Sequence, residues 1–326
     1  MIRFRRRAAP VLALVLSVAV VAGAGAWSLL AGRSARFVEY KTEARDMPTA
    51  ITVAADGTVW FTMDLSAAIG RVRNGRLERL PTPGPGLQPL GLGAATDGGV
   101  WYTDNADHAV AHMSRDGVVS RFGIETPSVQ LARLTVAPDG AAWFAEPTGY
   151  SITRLKDGAF TRHVFASARG APYGVAVAPD GTVWATLQGD NQLLQITSPD
   201  NMRAIDIPRP AALPSDIAIG PDGLVWFIEF HADRIARFSN GRFEEFAVGA
   251  QGAGLSGLAV APDGTVWFGM LRGGSLGRLR AGKVEQFRLP RDHARPFTVA
   301  LDPAGNVWYA DISGYVGWLE AASLSR

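Results

Sequence analysis

The chain has 326 residues, of which 47% are hydrophobic and 19% are charged, a balance typical of a globular protein and too apolar for a disordered one. It contains no cysteine, which excludes disulfides, a thiol nucleophile, cysteine-ligated metals and a lipoprotein anchor. The formal net charge is +2, but four of the arginines lie in residues 1–26; the rest of the chain has 28 basic and 30 acidic residues and gives no support for nucleic-acid binding.

The N-terminus has the composition of an export signal. Arginines at positions 3, 5, 6 and 7 precede an uncharged run over residues 11–26, and Ala24, Gly25 and Ala26 fit a signal-peptidase site. Residues 1–26 are therefore predicted to be a signal peptide. The apolar run continues to Leu30, about 20 residues and enough to span a bilayer, so an uncleaved signal-anchor, reaching at most to residue 31, is the alternative. We expect export to the periplasm or the extracellular space, or attachment to the membrane through residues 11–30 alone.

Residues 36–320 contain seven repeats of about 41 residues. A tryptophan recurs in every repeat at intervals of 41 or 42 residues, with a glycine three positions earlier, and in six repeats an aspartate precedes that glycine. The seven tryptophans are Trp60, Trp101, Trp143, Trp184, Trp226, Trp267 and Trp308. A fixed period of this length predicts one structural unit per repeat.

Each unit predicts four antiparallel strands, here called A to D. An Asp-Gly turn separates strand A from strand B (TVWFGM, 265–270), because glycine accepts the positive φ that such hairpin turns need. An apolar strand C (GRLR, 277–280) and a strand D (KVEQF, 283–287) follow. The predicted fold is all-β, a seven-bladed β-propeller of four-stranded antiparallel blades, with the tryptophans packed between neighbouring sheets.

The last repeat has no fourth strand, since it ends after VGWLE (316–320). The segment ARFVEYKT (35–42) precedes the first strand A and resembles the strand D segment GRFEEFAV (241–248). We therefore predict that the N-terminal strand closes the last blade and that the protein is a monomer, because a propeller needs such closure to avoid open sheet edges.

Strand A starts, and strands B and D end, on one face of the predicted ring, here called the upper face; the Asp-Gly turns lie on the lower face. We expect function on the upper face, where loops converge on the central channel. The residue at the end of strand B is acidic in four blades, a partial ring for a cation or a basic ligand: Asp104, Glu146, Glu229 and Asp311. The start of strand A gives a second, mixed ring, here called the mouth positions: Thr49, Leu90, Ala132, Tyr173, Ser215, Ser256 and Phe297.

Histidines and arginines near these rings are further candidates. Glu229 and His231 are spaced as an acid/base couple or as two metal ligands, and Arg295 lies just before the start of the last strand A. The five histidines lack the short spacing of a zinc motif, and a role as solvated loop residues stays open for each of them. We expect ligand contacts at Asp104, Glu146, Tyr173, Glu229, His231, Arg295, Phe297 and Asp311, and no catalytic set is identified.

The repeat pattern P-x-G-I/V-x-x-x-P-D-G-x-V-W-F-x-E, with its I-G-R-I-like and G-x-x-x-E-F strands, resembles that of the streptogramin lyases (virginiamycin B lyases) over residues 36–320. The resemblance implies a seven-bladed propeller that opens a cyclic antibiotic at its ester by Mg²⁺-dependent elimination. It further implies two histidines after the repeat proline in blades six and seven, one of them the general base, and two glutamates that help to hold Mg²⁺.

This sequence departs from that pattern at the site. The histidine positions hold Ser256 and Phe297, one glutamate position holds Arg295, and only Asp311 could keep a role in holding the metal. Phenylalanine cannot abstract a proton, and arginine cannot ligate a cation. We therefore expect a propeller that binds a small molecule or a cell-envelope component on its upper face. The alternative is a divergent metal-dependent lyase or lactone-cleaving enzyme, with a relocated site for which Glu229 and His231 are the first candidates.

Overall fold

The computed structural model describes residues 35–324 except 67, 84–87, 127, 166–168 and 250–251. This part of the chain forms seven four-stranded antiparallel sheets, so the predicted seven-bladed propeller is confirmed. The predicted signal segment, residues 1–26 or 11–30, lies outside the described residues and stays a prediction. No helix in the described part of the chain is long and apolar enough to cross a membrane.

Blades one to six consist of strands A to D in sequence order, blade seven takes its strands A to C from the C-terminal end of the chain, and strand A lines the central channel. In blades one to three the strands are β2 (Pro48–Val53), β3 (Val59–Met63), β4 (Ala68–Arg73), β5 (Arg76–Pro81), β6 (Leu92–Ala94), β7 (Val100–Asp104), β8 (Ala109–Met113), β9 (Val119–Gly123), β10 (Leu134–Val136), β11 (Ala142–Glu146), β12 (Ser151–Lys156) and β13 (Ala159–Val164). In blades four to seven they are β14 (Pro172–Val177), β15 (Val183–Leu187), β16 (Gln192–Ser198), β17 (Asn201–Asp206), β18 (Pro214–Ile219), β19 (Val225–Glu229), β20 (Arg234–Ser239), β21 (Arg242–Ala247), β22 (Leu255–Val260), β23 (Val266–Met270), β24 (Ser275–Arg280), β25 (Lys283–Arg288), β26 (Pro296–Leu301), β27 (Val307–Asp311) and β28 (Tyr315–Leu319). Two short 3-10 turns, Phe230–Ala232 and Ala321–Ser323, complete the described elements.

The Asp-Gly turns of the lower face have the conformation that the sequence predicts. In blade six, Gly264 has a φ of +81°, and its N–H donates to the carbonyl of Ala261 at 2.9 Å. The side chain of Asp263 accepts a hydrogen bond from the backbone N–H of Thr265 at 3.0 Å, which fixes the start of strand B. A side chain with a Cβ would be strained at this φ, which explains the glycine.

The repeat tryptophans pack between the blades, as predicted. Trp184 of blade four lies in one cluster with Ile217, Val225 and Phe227 of blade five, and Trp226 of blade five lies with Leu258 of blade six. Trp308 of the last blade packs with Ile51 and Phe61 of the first. The core is therefore divided into inter-blade layers that continue around the ring.

The N-terminal strand closes the ring, as predicted. β1 (Phe37–Lys41) pairs antiparallel with β28, from Phe37 opposite Leu319 to Lys41 opposite Tyr315, and so becomes strand D of blade seven. The Tyr309 hydroxyl donates to Glu39 at 2.7 Å, which adds a side-chain link between the two ends of the chain.

Side-chain hydroxyls link neighbouring blades around the upper end of the channel. Four of them donate to a backbone carbonyl at the start of the next strand A: Thr49 to Pro89 (3.1 Å), Thr186 to Ser215 (2.6 Å), Ser256 to Pro296 (3.0 Å) and Thr298 to Thr49 (2.8 Å). These carbonyls have no partner strand on the channel side, so the hydroxyls satisfy them and fix the spacing of the blades.

Candidate functional site

Three of the four acidic residues at the ends of strands B are buried and fully hydrogen-bonded. Asp104 accepts a hydrogen bond from Arg121 at 2.7 Å, and Glu146 accepts one from Arg162 at 2.8 Å; both arginines lie on strand D of the same blade. Asp311 accepts hydrogen bonds from the Arg291 guanidinium at 2.7 Å, the Arg295 backbone N–H at 2.9 Å and the Ser313 N–H at 2.7 Å. Each of these three carboxylates is therefore bound by an arginine of the protein, and the predicted ligand role of the ring stays a prediction.

Glu229 is the exception among the four. Its carboxyl is fully buried, and neither oxygen has a hydrogen-bond partner. The nearest cation, Arg209, lies 3.5 Å away and donates instead to Glu245, through Nε at 2.8 Å and Nη2 at 2.5 Å. Burial, and then the charge of Glu245, raise the pKa of Glu229 from 4.5 to about 7. This carboxyl can therefore exchange a proton near neutral pH.

His231 does not join Glu229 as an acid/base couple. It lies in the 3-10 turn that follows β19, and its side chain is exposed, whereas the Glu229 side chain is buried. Neither Glu229 oxygen has a hydrogen-bond partner, so the imidazole makes no hydrogen bond to this carboxyl. The imidazole ring lies 6.0 Å from the ring of Phe230. The two residues are neighbours in sequence, but the structure places them in different environments.

The mouth positions place two aromatic side chains on one cation. Tyr173 and Phe297, both half-buried, contact the Arg133 guanidinium, whose central carbon is 5.6 Å from the Tyr173 ring centroid and 5.4 Å from that of Phe297. Contacts of this length between a guanidinium and an aromatic face are stabilising. Arg295, by contrast, is exposed at the rim of blade seven.

The channel also holds an ion pair that was not among the sequence predictions. Arg133 Nε lies 3.5 Å from Asp216 Oδ1, which brings together blades three and five. Both residues follow a mouth position directly, where the other five repeats have Ala50, Gly91, Gly174, Gly257 and Thr298. Comparing the seven repeats at this position would have identified the two charged residues, because the rest are small or neutral.

These residues do not fit the Mg²⁺ that the family resemblance implies. In the described part of the chain, no group of three or more His, Cys, Asp or Glu side chains could hold a metal ion. Asp311 already accepts hydrogen bonds from Arg291 and from the backbone of Arg295, and the guanidinium lies where a second cation would be repelled. We therefore derive no chemical step through a metal at this position.

Comparison with known proteins gives one consistent family. The profile of the family described as "Virginiamycin B lyase family" matches residues 31–148 and 75–323. A virginiamycin B lyase of Nocardia farcinica (strain IFM 10152) is 33% identical over 188 residues, which are 58% of this chain and 64% of that protein, so the match spans less than two thirds of the relative.

Solved structures of the same enzyme class are similar over the whole ring. Selenomethionine-substituted virginiamycin B lyase from Staphylococcus aureus is 25% identical, with a TM-score of 0.83 over 87% of this chain and 99% of that one. A catalytically inactive variant of that lyase, with one histidine replaced by alanine and solved with quinupristin, gives the same identity, coverage and TM-score.

Proposed function

Because this chain belongs to the virginiamycin B lyase family, we propose that it binds a small molecule on its upper face, at the mouth of the channel, without cleaving it. The ligand class that the relatives support is a cyclic depsipeptide of the streptogramin B type, since one of them was solved with quinupristin. We further propose that it acts outside the cytoplasm, on the strength of the arginine-rich and apolar residues 1–26.

The observation that carries this proposal is the placement of Tyr173 and Phe297 beside Arg133. Each ring is half-buried, so part of it is left for a ligand, and both rings contact the same guanidinium. Aromatic side chains bind with little loss of conformational entropy and offer a large apolar area to a cyclic peptide. A concave, largely preformed site at the centre of converging loops is the usual place for such a ligand.

Binding without cleavage follows from what lies at the reactive positions. Phe297 has no group that accepts a proton, and the Ser256 hydroxyl donates to the carbonyl of Pro296 at 3.0 Å. Asp311 is bound to Arg291 and to the backbone of Arg295, so it has no free oxygen directed at a metal. An elimination at an ester needs a base and a group that stabilises the developing charge, and these residues supply neither.

The alternative function is a divergent lyase that opens a cyclic ester or lactone. The observation that favours it is Glu229, whose carboxyl is buried, has no hydrogen-bond partner and has a pKa of about 7, the value expected of a general base at neutral pH. This function would need the ligand to reach Glu229 through the loops of blade five.

Calorimetric titration of the full-length protein with quinupristin tests the proposal. We expect binding, and a loss of at least about tenfold in affinity in Tyr173→Ala and in Phe297→Ala, because each removes one aromatic face. Arg288→Gln is the matched control, since this arginine is highly exposed on strand D of blade six and should leave the affinity unchanged. Chromatography of the same mixtures, with and without added Mg²⁺, reports whether the ring has been opened.

The outcomes separate the two functions. Binding of the intact cyclic peptide supports the proposal. Ring opening that is lost in Glu229→Gln would replace it with the lyase alternative. Absence of binding at millimolar quinupristin, or equal affinity in all four proteins, would refute a ligand site at the mouth.

A further inference from the structure

A second cavity lies in the channel below the mouth. Its volume is about 270 Å³, and none of the mouth positions lines it. Arg133 and Asp216 form its upper wall, and it extends down to Val177 and Ile219, the last residues of their strands A. We call this cavity the chamber; it lies on the lower side of the ion pair.

Strand A of every blade contributes to the side wall of the chamber. The residue two positions after each mouth position contributes from every blade, and all seven are aliphatic: Ile51, Leu92, Leu134, Val175, Ile217, Leu258 and Val299. These side chains pack mainly in the inter-blade clusters and are each only 5–8% exposed, so the chamber meets their edges. An alkyl group that covers these edges gains about 25 cal/mol per Å² of apolar surface removed from water.

The upper wall offers one unsatisfied donor next to one acceptor. Arg133 is only 8% exposed and donates through Nη1 to the carbonyl of Leu90 at 3.2 Å, but its Nε–H has no hydrogen-bond partner. Asp216 accepts the backbone N–H of Leu258 through Oδ2 at 3.0 Å, which leaves Oδ1 facing Arg133 Nε across 3.5 Å. A buried donor without a partner is costly, and a ligand that satisfies it gains the corresponding free energy.

We infer that the chamber is a binding site for a small aliphatic carboxamide. The amide oxygen accepts the Arg133 Nε–H, the amide N–H donates to Asp216 Oδ1, and the alkyl group lies against the accessible edges of the seven aliphatic residues. An amide presents an acceptor and a donor side by side, as this pair of atoms requires.

The charge of the upper wall selects against an acid or an amine of the same shape. Arg133 and Asp216 together are neutral. A carboxylate that accepts from Arg133 turns its second oxygen toward the Asp216 carboxylate, and an ammonium that donates to Asp216 lies beside the Arg133 guanidinium, so each ion meets one like charge. The size of the chamber sets the second limit. A cavity of about 270 Å³ limits the ligand to a small molecule.

Isovaleramide is the probe, with isovalerate and isoamylamine as charged controls of similar size, measured by ligand-observed NMR on the full-length protein. We expect isovaleramide to bind at least about tenfold more tightly than either control. Asp216→Asn and Arg133→Gln should each weaken it by about tenfold, as the loss of one hydrogen bond to a charged group implies. Arg288→Gln, far out on strand D of blade six, should not change the affinity.

A variant that fills the chamber provides an independent test of the site if either ion-pair variant fails to fold. Ala218 lines the cavity on strand A of blade five and is only partly buried, so Ala218→Leu adds volume at the chamber wall while Arg133 and Asp216 keep their own side chains. Binding of isovaleramide should be lost in this variant. No binding to the unaltered protein, unchanged binding in Ala218→Leu, or equal affinity for the three probes would each overturn the inference. None of these results depends on whether quinupristin binds at the mouth.

Discussion

Glu229 and Asp311 occupy equivalent positions at the ends of their strands B, yet only Asp311 is bound by the arginine that faces it. Blades five and seven supply the same two partners. One is an arginine seventeen residues before the repeat tryptophan, Arg209 or Arg291, and the other is a glutamate on strand D, Glu245 or Glu39. In blade seven, Arg291 donates to both Glu39 and Asp311. In blade five, Arg209 donates to Glu245 only and leaves Glu229 at 3.5 Å.

This difference predicts a pH-dependent stability that belongs to Glu229. Its pKa in the folded protein is about 7, against an ordinary value of 4.5, so the folded state holds the proton more tightly than the unfolded chain. The stabilising contribution is complete below about pH 4.5 and is lost as the pH rises through 7. Glu229→Gln should therefore be more stable than the unaltered protein at pH 8, by up to about 3 kcal/mol, with little difference at pH 4.5. Urea denaturation at the two pH values measures this.

Glu146→Gln is the control for that experiment. Glu146 accepts hydrogen bonds from Ser151, Thr153 and Arg162, so the neutral amide should lower the free energy of unfolding at pH 8. Equal behaviour of the two variants at pH 8 would contradict the contrast between the two carboxyls.

The contact between Asp311 and Arg291 predicts a strong effect on stability. Asp311 is fully buried, and Asp311→Ala leaves the Arg295 N–H and part of the Arg291 guanidinium without an acceptor. We expect a loss of about 3 kcal/mol in the free energy of unfolding, typical of breaking one side of a buried ion pair. Asp292→Ala removes an almost fully exposed carboxylate 4.0 Å from Arg288 and should change stability by less than about 0.5 kcal/mol. Similar losses of unfolding free energy in Asp311→Ala and Asp292→Ala would show that the buried contact between Asp311 and Arg291 is not the cause.

Closure of the ring by β1 predicts that the thermal stability of the protein depends on residues 36–42. Removing residues 36–42 uncovers the edge of β28 and takes Glu39 from Tyr309 and Arg291. A chain that begins at residue 43 should melt at least about 5 °C below a chain that begins at residue 35, since a few kcal/mol are lost from a large domain. Differential scanning calorimetry of the two chains measures the difference, and equal melting temperatures would mean that β1 contributes no stability.

The glycine of strand C predicts a packing constraint within the blade. A Cβ at Gly277 would overlap the ring of Phe268 on the neighbouring strand B, and Gly70 has the same relation to Phe61. Gly277→Ala should cost about 1–3 kcal/mol, as overpacking does, and Phe268→Leu should recover part of that cost in the double variant. Gly123→Ala has open space around the added atom and should be near neutral by the same urea denaturation. Additive costs in the double variant would exclude this contact as the cause.

The fold could be predicted from the sequence because its determinants are local and repeated. A tryptophan, an Asp-Gly turn and an apolar strand recur at fixed offsets, and Phe37–Lys41 supplies the strand that the seventh repeat lacks. The strand C glycines Gly70 and Gly277 are local determinants of the same kind, because each leaves space for an aromatic ring on the neighbouring strand B.

The pairing of the site residues could not be predicted in the same way. The arginine that meets an acidic residue comes from strand D of the same blade for Asp104 and from the preceding loop for Asp311, and no fixed spacing distinguishes the two. Whether a carboxyl accepts a hydrogen bond from the arginine beside it depends on differences of less than 1 Å in their separation. Arg209 lies 3.5 Å from Glu229, whereas Arg291 lies 2.7 Å from Asp311. Arg133 and Asp216 were missed for another reason: they lie on different blades and meet only across the channel.

The pairing of β1 with β28 also sets the direction in which the protein would face a membrane. β1 begins at Phe37, opposite Leu319, at the end of strand C that lies on the lower face, and it rises to Lys41 near the upper face. Any segment before residue 35 therefore joins the propeller on the side of the Asp-Gly turns. An anchor in residues 11–30 would hold that side toward the lipid, so the mouth with Tyr173 and Phe297 would face outward and the lower end of the chamber would face the bilayer.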